Sequence, residues 1–177
     1  MIRMANNNEN DKDNNKKIPK LDVHTNTVLG NDNYVGIAET VVLHLLGKNA
    51  NYRFKWDEKE MKLKLKPTSD IKKHKQNFYL TTTKIRNLLS LLNVIQQLVK
   101  EEAGEKITDE TFGKIQYFKM RCAYEAGRDS AVDDFIEKSN MMDYIDKINR
   151  SKKNFEIFFH YVEALVAYHR YYGGRNN

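Results

Sequence analysis

From Thr81 onward, the apolar residues of this chain return every three or four positions, and no proline interrupts the pattern. Spacing of this kind places side chains on one face of an α-helix. In the first long segment that face carries the predicted core residues Ile85, Leu88, Leu89, Leu92, Ile95 and Val99. The chain's two prolines, Pro19 and Pro67, both lie earlier. Because proline disrupts helix interiors, the second half of the chain is predicted to be helical.

Five helical segments can be placed between residues 81 and 174. Each long segment follows a residue whose hydroxyl can accept a backbone hydrogen bond, namely Thr81 or Thr82, Thr108, and Ser151. Gly104 and Gly127 are predicted to end the first two, and two short segments open on Ser130 and Asn140. The predicted fold class is all-α, a compact bundle of about five helices over roughly residues 81–174.

The N-terminal part of the chain has a different composition. Residues 1–33 are rich in Asn, Asp and Lys and have little to bury, which predicts a disordered tail. A short amphipathic helix is predicted next. Aromatic and aliphatic residues then alternate with polar ones, which predicts a β-hairpin. The predicted division is a disordered tail over 1–33, a helix, hairpin and basic linker over 34–79, and a helical bundle domain over 80–177.

The charge balance favours an anionic partner, since the net charge is +6 and the isoelectric point is near 9.2. Residues 1–80 hold five of these six net charges, so a basic site in the second half must arise from placement on one face. The single cysteine, Cys122, excludes an internal disulfide and favours a reducing cytoplasm. No apolar run reaches the roughly 20 residues of a membrane span, and the N-terminus lacks a signal peptide's apolar core. A cytoplasmic protein without a membrane partner is expected.

Catalytic and metal-binding patterns are absent from the sequence, so neither an enzyme nor a cofactor is predicted. No two histidines have the spacing of four that a zinc-binding helix uses, and no cysteine pair exists. Cys122 lies on an apolar helix face, which predicts a buried, inert thiol. His160 and Glu163 are one helical turn apart, and the pair is interpreted as a surface contact. A metal-independent nuclease using this pair stays as a third hypothesis.

A basic and aromatic stripe is the main candidate for function. It consists of Lys114, Tyr117, Arg121, Tyr124 and Arg128, at steps of three and four along the second long helix. Cations on such a face can bind phosphates, and the rings can stack on bases. The same pattern is also typical of an ordinary solvated helix face. Composition alone does not decide between these two interpretations.

Three stretches together resemble one known family. They are Leu80–Leu89 (LTTTKIRNLL), Ala123–Asp129 (AYEAGRD) and Glu163–Gly174 (EALVAYHRYYGG). Their order and sequence are similar to the small subunit of type III-A CRISPR effector complexes, the Csm small subunit. The resemblance covers about Leu80 to Gly174, and the region before Leu80 departs from it.

The resemblance implies a non-catalytic, helical RNA-binding subunit that acts in antiviral defence. Such subunits self-associate as stacked copies, assemble with other subunits of the complex, and hold guide and target RNA by the backbone without sequence specificity. The family's basic positions fall on Lys84, Arg86, Arg121 and Arg128 of this chain, and Lys119, Lys152, Lys153 and Arg170 are further RNA-binding candidates. The alternative is a helical protein–protein interaction module with no direct RNA contact, in which the tyrosines are interface anchors.

Overall fold

The structure of the chain is a computed structural model that describes residues 28–47, 52–57, 62–67, 80–172 and 174. Most of the predicted tail, residues 1–27, lies outside the described residues. The predicted linker also lies outside them from residue 68 to residue 77. None of the helices that the structure describes has the length and apolarity needed to cross a membrane.

The described part of the chain contains six helices and two short strands. The helices are α1 (Tyr34–Gly47), α2 (Thr82–Glu101), α3 (Asp109–Arg128), α4 (Ser130–Lys138), α5 (Met141–Asp146) and α6 (Lys152–Tyr171). The strands β1 (Tyr52–Asp57) and β2 (Lys62–Pro67) pair antiparallel, with Phe54 opposite Leu65. Helices α2 to α6 fall within the predicted span, which confirms the all-α bundle.

Local capping signals fix where the long helices begin. The side chains of Thr81, Thr108 and Ser151 each accept a hydrogen bond from the backbone N–H three residues later. The three donor–acceptor distances are between 3.3 and 3.4 Å. Each bond satisfies a backbone donor that the first turn of a helix leaves without a partner. The predicted starts of α2, α3 and α6 are therefore confirmed.

The boundaries of the short helices differ from the prediction. Asp129, not Ser130, caps α4, and its carboxylate accepts from the N–H groups of Ala131 and Val132. Asn140 precedes α5 in the left-handed region, at φ 51°, and makes no side-chain cap. Helix α3 also passes the predicted stop at Gly127 and ends at Arg128, where the backbone N–H of Asp129 bonds to the Ala126 carbonyl at 3.3 Å.

The core lies where α2, α3 and α6 meet, with α1 packed on α6 and α4 packed on α3. Phe118 of α3 meets Phe158 of α6 edge to face, with ring centroids 6.3 Å apart. The largest fully buried side chains are Tyr161, Phe118, Phe135, Phe155, Phe158, Ile85, Leu92, Ile95, Ile115, Met141 and Ile145. The predicted core face of α2 is buried except at Leu89, which is half-buried at the margin of the core.

A different set of hydrogen bonds holds the elements together at each end of the bundle. At one end, the segment after α2 pairs with the segment before α6, and the Ile107 N–H bonds to the Arg150 carbonyl at 2.8 Å. At the other end, buried His169 lies 3.0 Å from the carbonyl oxygen of Leu80 through Nε2, which must therefore donate. Gly174 closes over this ring, since a Cβ there would lie 2.2 Å or less from two of its atoms. The start of α2 is thus tied to the end of α6.

We expect this buried histidine to make stability fall in mild acid. Burial lowers the pKa of His169 to about 4, and the charge of Arg170 adds to this effect, while the bond to Leu80 opposes it. In the unfolded chain the same ring takes up a proton at its ordinary pKa of about 6.5. The ring therefore costs no stability above that pH, and the free energy of unfolding falls between pH 6.5 and pH 4. The expected loss of unfolding free energy at pH 5 is about 2 kcal/mol.

Urea denaturation of the full chain at pH 7 and pH 5 measures this loss. The His169→Gln variant is the control, because it removes the titrating ring while other groups still titrate. The wild-type chain should lose more stability than the variant over this interval. Equal losses in both proteins would show that another group is responsible.

Candidate nucleic-acid interface

An open groove lies between the first turns of α2, the last three turns of α3 and the start of α4. Its volume is about 430 Å³. We call it the basic groove, and it is lined by Lys84, Asn87, Leu88, Leu91, Tyr117, Arg121, Glu125, Arg128, Asp129 and Val132. Cations and carboxylates lie at its rim, and apolar side chains form part of its floor.

Helical spacing brings the residues of α3 to this groove. Tyr117, Arg121 and Arg128 are separated by four and seven positions, so they share one face. The buried core face of the same helix, which includes Phe118 and Cys122, lies beside them. The predicted stripe therefore reaches the groove only in part, because Tyr124 is not among the lining residues. Its first member, Lys114, pairs instead with Glu110 at 3.6 Å and does not line the groove.

Lys84 enters the groove from the first turn of α2 and forms an ion pair with Asp129. The bond from Lys84 is the main reason that the pKa of Asp129 lies below its usual value, although partial burial opposes the effect. Asp129 also caps α4 through two backbone N–H groups. Its carboxylate is thus held in its charged form beside the Lys84 ammonium.

The two arginines of the groove are arranged around one aromatic ring. Arg121 bonds to Glu125 at 2.7 Å, and its guanidinium carbon lies 5.1 Å from the centroid of the Tyr124 ring. The guanidinium carbon of Arg128 lies 5.2 Å from the same centroid. Arg128 is exposed and has no acidic partner within the part of the chain that the structure describes. It is therefore available to an incoming anion.

The floor of the groove is apolar. Leu88 and Val132 are buried, and Leu91 is half-buried. Tyr117 stands above them with 51% of its surface exposed. Guanidinium and ammonium groups at the rim can bind phosphates, and a half-exposed ring can contact a base or a sugar. This arrangement can hold a nucleic acid strand without reading its sequence.

Several predicted RNA-binding residues lie outside the basic groove. Arg86 is exposed on α2, but it is two positions beyond Lys84, which turns it about 200° around the helix axis. Lys119 faces away from the groove and pairs with Asp146 of α5, with both oxygens within 2.7 Å. Helical rotation therefore separates these residues from the Lys84 and Arg121 side chains.

The candidates on α6 are also spread along the bundle. Lys152 donates to the Glu102 carbonyl at the end of α2, and Lys153 is exposed beside it. Since α2 has 20 residues and is about 30 Å long, these lysines lie far from Lys84. Arg170 lies near the other end of α6 and contacts the Gly174 carbonyl at 3.3 Å. Of the predicted residues, the structure brings together Lys84, Arg121 and Arg128.

Sequence reasoning missed the acidic side of the groove. Glu125 follows Arg121 by four positions, and this spacing alone predicts an ion pair on a helix. Asp129 gives no comparable signal, because its partner Lys84 is 45 positions away.

The residues considered for catalysis make ordinary structural contacts. His160 lies 3.0 Å from Glu163 and stacks on Tyr34, with ring centroids 6.1 Å apart, as an exposed surface contact does. Cys122 is fully buried, and burial raises the pKa of its thiol to about 12, so the thiol stays protonated. Among the described residues, no group of three or more His, Cys, Asp and Glu side chains could hold a metal ion.

Comparison with known proteins gives one consistent result. The model of the family described as Csm2 Type III-A matches residues 58–175. A Streptococcus thermophilus protein named CRISPR system Cms protein Csm2 is 37% identical over 105 residues, which are 59% of this chain and 83% of that protein. Proteins of the same name from Enterococcus italicus and Mycobacterium tuberculosis are 38% and 33% identical over 99 residues. These alignments cover 52% and 56% of this chain and 68% and 80% of the relatives.

The family match begins earlier than the resemblance found by reading the sequence. It starts at residue 58, whereas the resemblance was expected to start near Leu80. The strand β2 is therefore part of the matched segment, and so is the whole of the basic groove.

Proposed function

Because the chain belongs to the Csm2 family of type III-A CRISPR systems, we propose that it is the non-catalytic, RNA-binding small subunit of a type III-A effector complex. The basic groove contacts the phosphate backbone of the guide and target RNA. Sequence specificity comes from base pairing between these two strands, since the groove offers cations and rings but no base-specific arrangement of donors.

The meeting of Lys84, Arg121 and Arg128 in one groove carries this proposal. The bundle domain has almost no net charge, so its cations can attract RNA only where they are gathered. Each phosphate that a cation neutralises releases condensed counterions, and binding therefore weakens steeply with salt. Cytoplasmic RNA and the other subunits of the complex are the expected partners.

A single groove contributes only a few phosphate contacts, so one copy alone binds weakly. Several copies of the chain along the same RNA convert later contacts into intramolecular ones, which raises the overall affinity. An open groove with few cations is consistent with such a subunit. Contacts between neighbouring copies would set the spacing of the grooves along the RNA.

The partners can be tested by purifying the tagged chain from its native cell, sequencing the bound RNA and identifying the bound proteins. Short RNAs with a common 5′ segment, together with several co-purifying subunits, are the expected result. Protein partners without RNA would instead support the interaction-module alternative, with the stripe as an ordinary solvated face.

We expect the Glu125→Gln variant to bind RNA about two- to fivefold more tightly than the wild-type chain. Glu125 occupies a guanidinium edge of Arg121 that a phosphate would otherwise use. Partly exposed ion pairs of this kind are worth up to about 1 kcal/mol. Fluorescence anisotropy with a labelled single-stranded RNA measures the change.

The matched control is Glu110→Gln. It removes the same charge from α3, but its partner Lys114 lies outside the basic groove. An equal gain in both variants would mean that overall charge, and not release of Arg121, governs the affinity.

A further inference from the structure

One aromatic ring contacts both arginines of the basic groove. The guanidinium carbons of Arg121 and Arg128 lie 5.1 and 5.2 Å from the centroid of the Tyr124 ring. Tyr124 follows Arg121 by three positions and precedes Arg128 by four, so the arginines lie one turn before and one turn after it. A guanidinium within about 6 Å of a ring centroid is attracted by the negative face of the ring.

This contact lowers one of the costs of phosphate binding by arginine, which is the ordering of its side chain. A free arginine side chain populates many rotamers, and fixing it on a ligand costs conformational entropy. The two guanidinium groups also repel each other. A ring that attracts both groups restricts their rotamers before RNA binds, so less conformational entropy is lost on binding.

We propose that Tyr124 is a positioning residue that holds Arg121 and Arg128 in the orientation that receives consecutive parts of an RNA phosphate backbone. The inference rests on the proposed function of the basic groove. It assigns Tyr124 a role through the arginines and not through direct contact with a base. The aromatic ring is required, whereas the phenolic hydroxyl is not.

Tyr117 provides a comparison on the same helix. Both tyrosines have 51% of their surface exposed. Tyr117 lines the groove, but no guanidinium lies over its ring in the part of the chain that the structure describes. Tyr124→Leu and Tyr117→Leu therefore remove similar surface from α3 and differ in what they do to the arginines.

The experiment measures the affinity of the full chain for a fluorescein-labelled single-stranded RNA between about 50 and about 200 mM salt. Tyr124→Leu should weaken binding roughly fivefold. Tyr124→Phe keeps the ring and should bind RNA within about twofold of the wild-type affinity. Tyr117→Leu removes a ring that can contact the RNA directly, so its loss of affinity should persist when both arginines are glutamine. Since Tyr124→Leu keeps both cations, the slope of log affinity against log salt should stay unchanged. Replacing both arginines by glutamine should reduce that slope by roughly 1.5.

A double-mutant cycle separates positioning from base stacking. When Arg121 and Arg128 are both glutamine, Tyr124→Leu should have no further effect, because the ring no longer has guanidinium groups to hold. A fivefold loss that persists in this background would mean that the ring stacks on a base, and the inference would be wrong.

The remaining outcomes distinguish the inference from the proposed function. If the arginine variant loses affinity and slope while Tyr124→Leu binds like wild type, the positioning role is refuted and the groove still binds RNA. If the arginine variant binds RNA with unchanged affinity and slope, the proposed function itself fails. If Tyr124→Leu and Tyr124→Phe both lower the melting temperature and weaken RNA binding equally, the residue has only a structural role.

Discussion

Replacing Arg121 and Arg128 together by glutamate should weaken RNA binding by on the order of 100-fold at low salt. Each arginine is expected to make a charge-assisted contact worth at least about 1.5 kcal/mol. The substitutions also place two negative charges in a groove that already holds Glu125 and Asp129. The fold should survive, because Arg128 is exposed and Arg121 is only half-buried.

The control for this prediction is the pair Arg86→Glu and Lys153→Glu, which changes the net charge by the same amount. Both residues are exposed, and both were candidates on sequence grounds, but neither lines the basic groove. Anisotropy with the same labelled RNA compares the two variants, and circular dichroism verifies the fold. A similar loss in the control would show that binding follows total charge and that the groove has no special role.

Leu92→Asp should unfold the bundle domain. Leu92 is fully buried in the face of α2 that meets the core, and aspartate would leave a cavity and an unpaired charge there. The expected cost is on the order of 5 kcal/mol or more, which is comparable with the whole stability of a typical domain. Chemical denaturation followed by circular dichroism measures the loss.

Val94→Asp is a matched control two positions further along the same helix. Val94 has 58% of its surface exposed, so the new carboxylate stays in water. Valine and aspartate also have similar helix propensities. The change in unfolding free energy should stay within about 0.5 kcal/mol. Cooperative unfolding of Leu92→Asp at a wild-type midpoint would contradict the packing of α2.

The long helices could be predicted because their signals are local. Apolar spacing and the hydroxyls of Thr81, Thr108 and Ser151 specify α2, α3 and α6 within a few neighbouring residues. The short helices were predicted less well, since Ser130 and Asp129 both can cap a helix and adjacent signals compete. The charged acceptor, which also interacts favourably with the positive end of the helix dipole, forms the cap in the structure.

The site could be predicted only in part. The stripe on α3 follows from spacing alone, whereas Lys84 and Arg86 were predicted from the family resemblance. Whether two basic residues on one helix reach the same surface depends on rotation about its axis and on the neighbouring helices. Those neighbours place Lys84 beside Asp129 across 45 positions of the chain, a contact that local sequence patterns do not encode.

The paired carboxylates of the basic groove have a consequence for selectivity among anions. Asp129 and Glu125 are attached to the same fold as Lys84 and Arg121, so they compete as tethered ligands at a high effective concentration. A free phosphate ion or a mononucleotide can displace only one of these carboxylates at a time, so it gains little binding free energy. A polymer gains all of its contacts after a single encounter. Under the proposed function, we therefore expect the groove to bind long polyanions in preference to the abundant small anions of a cell.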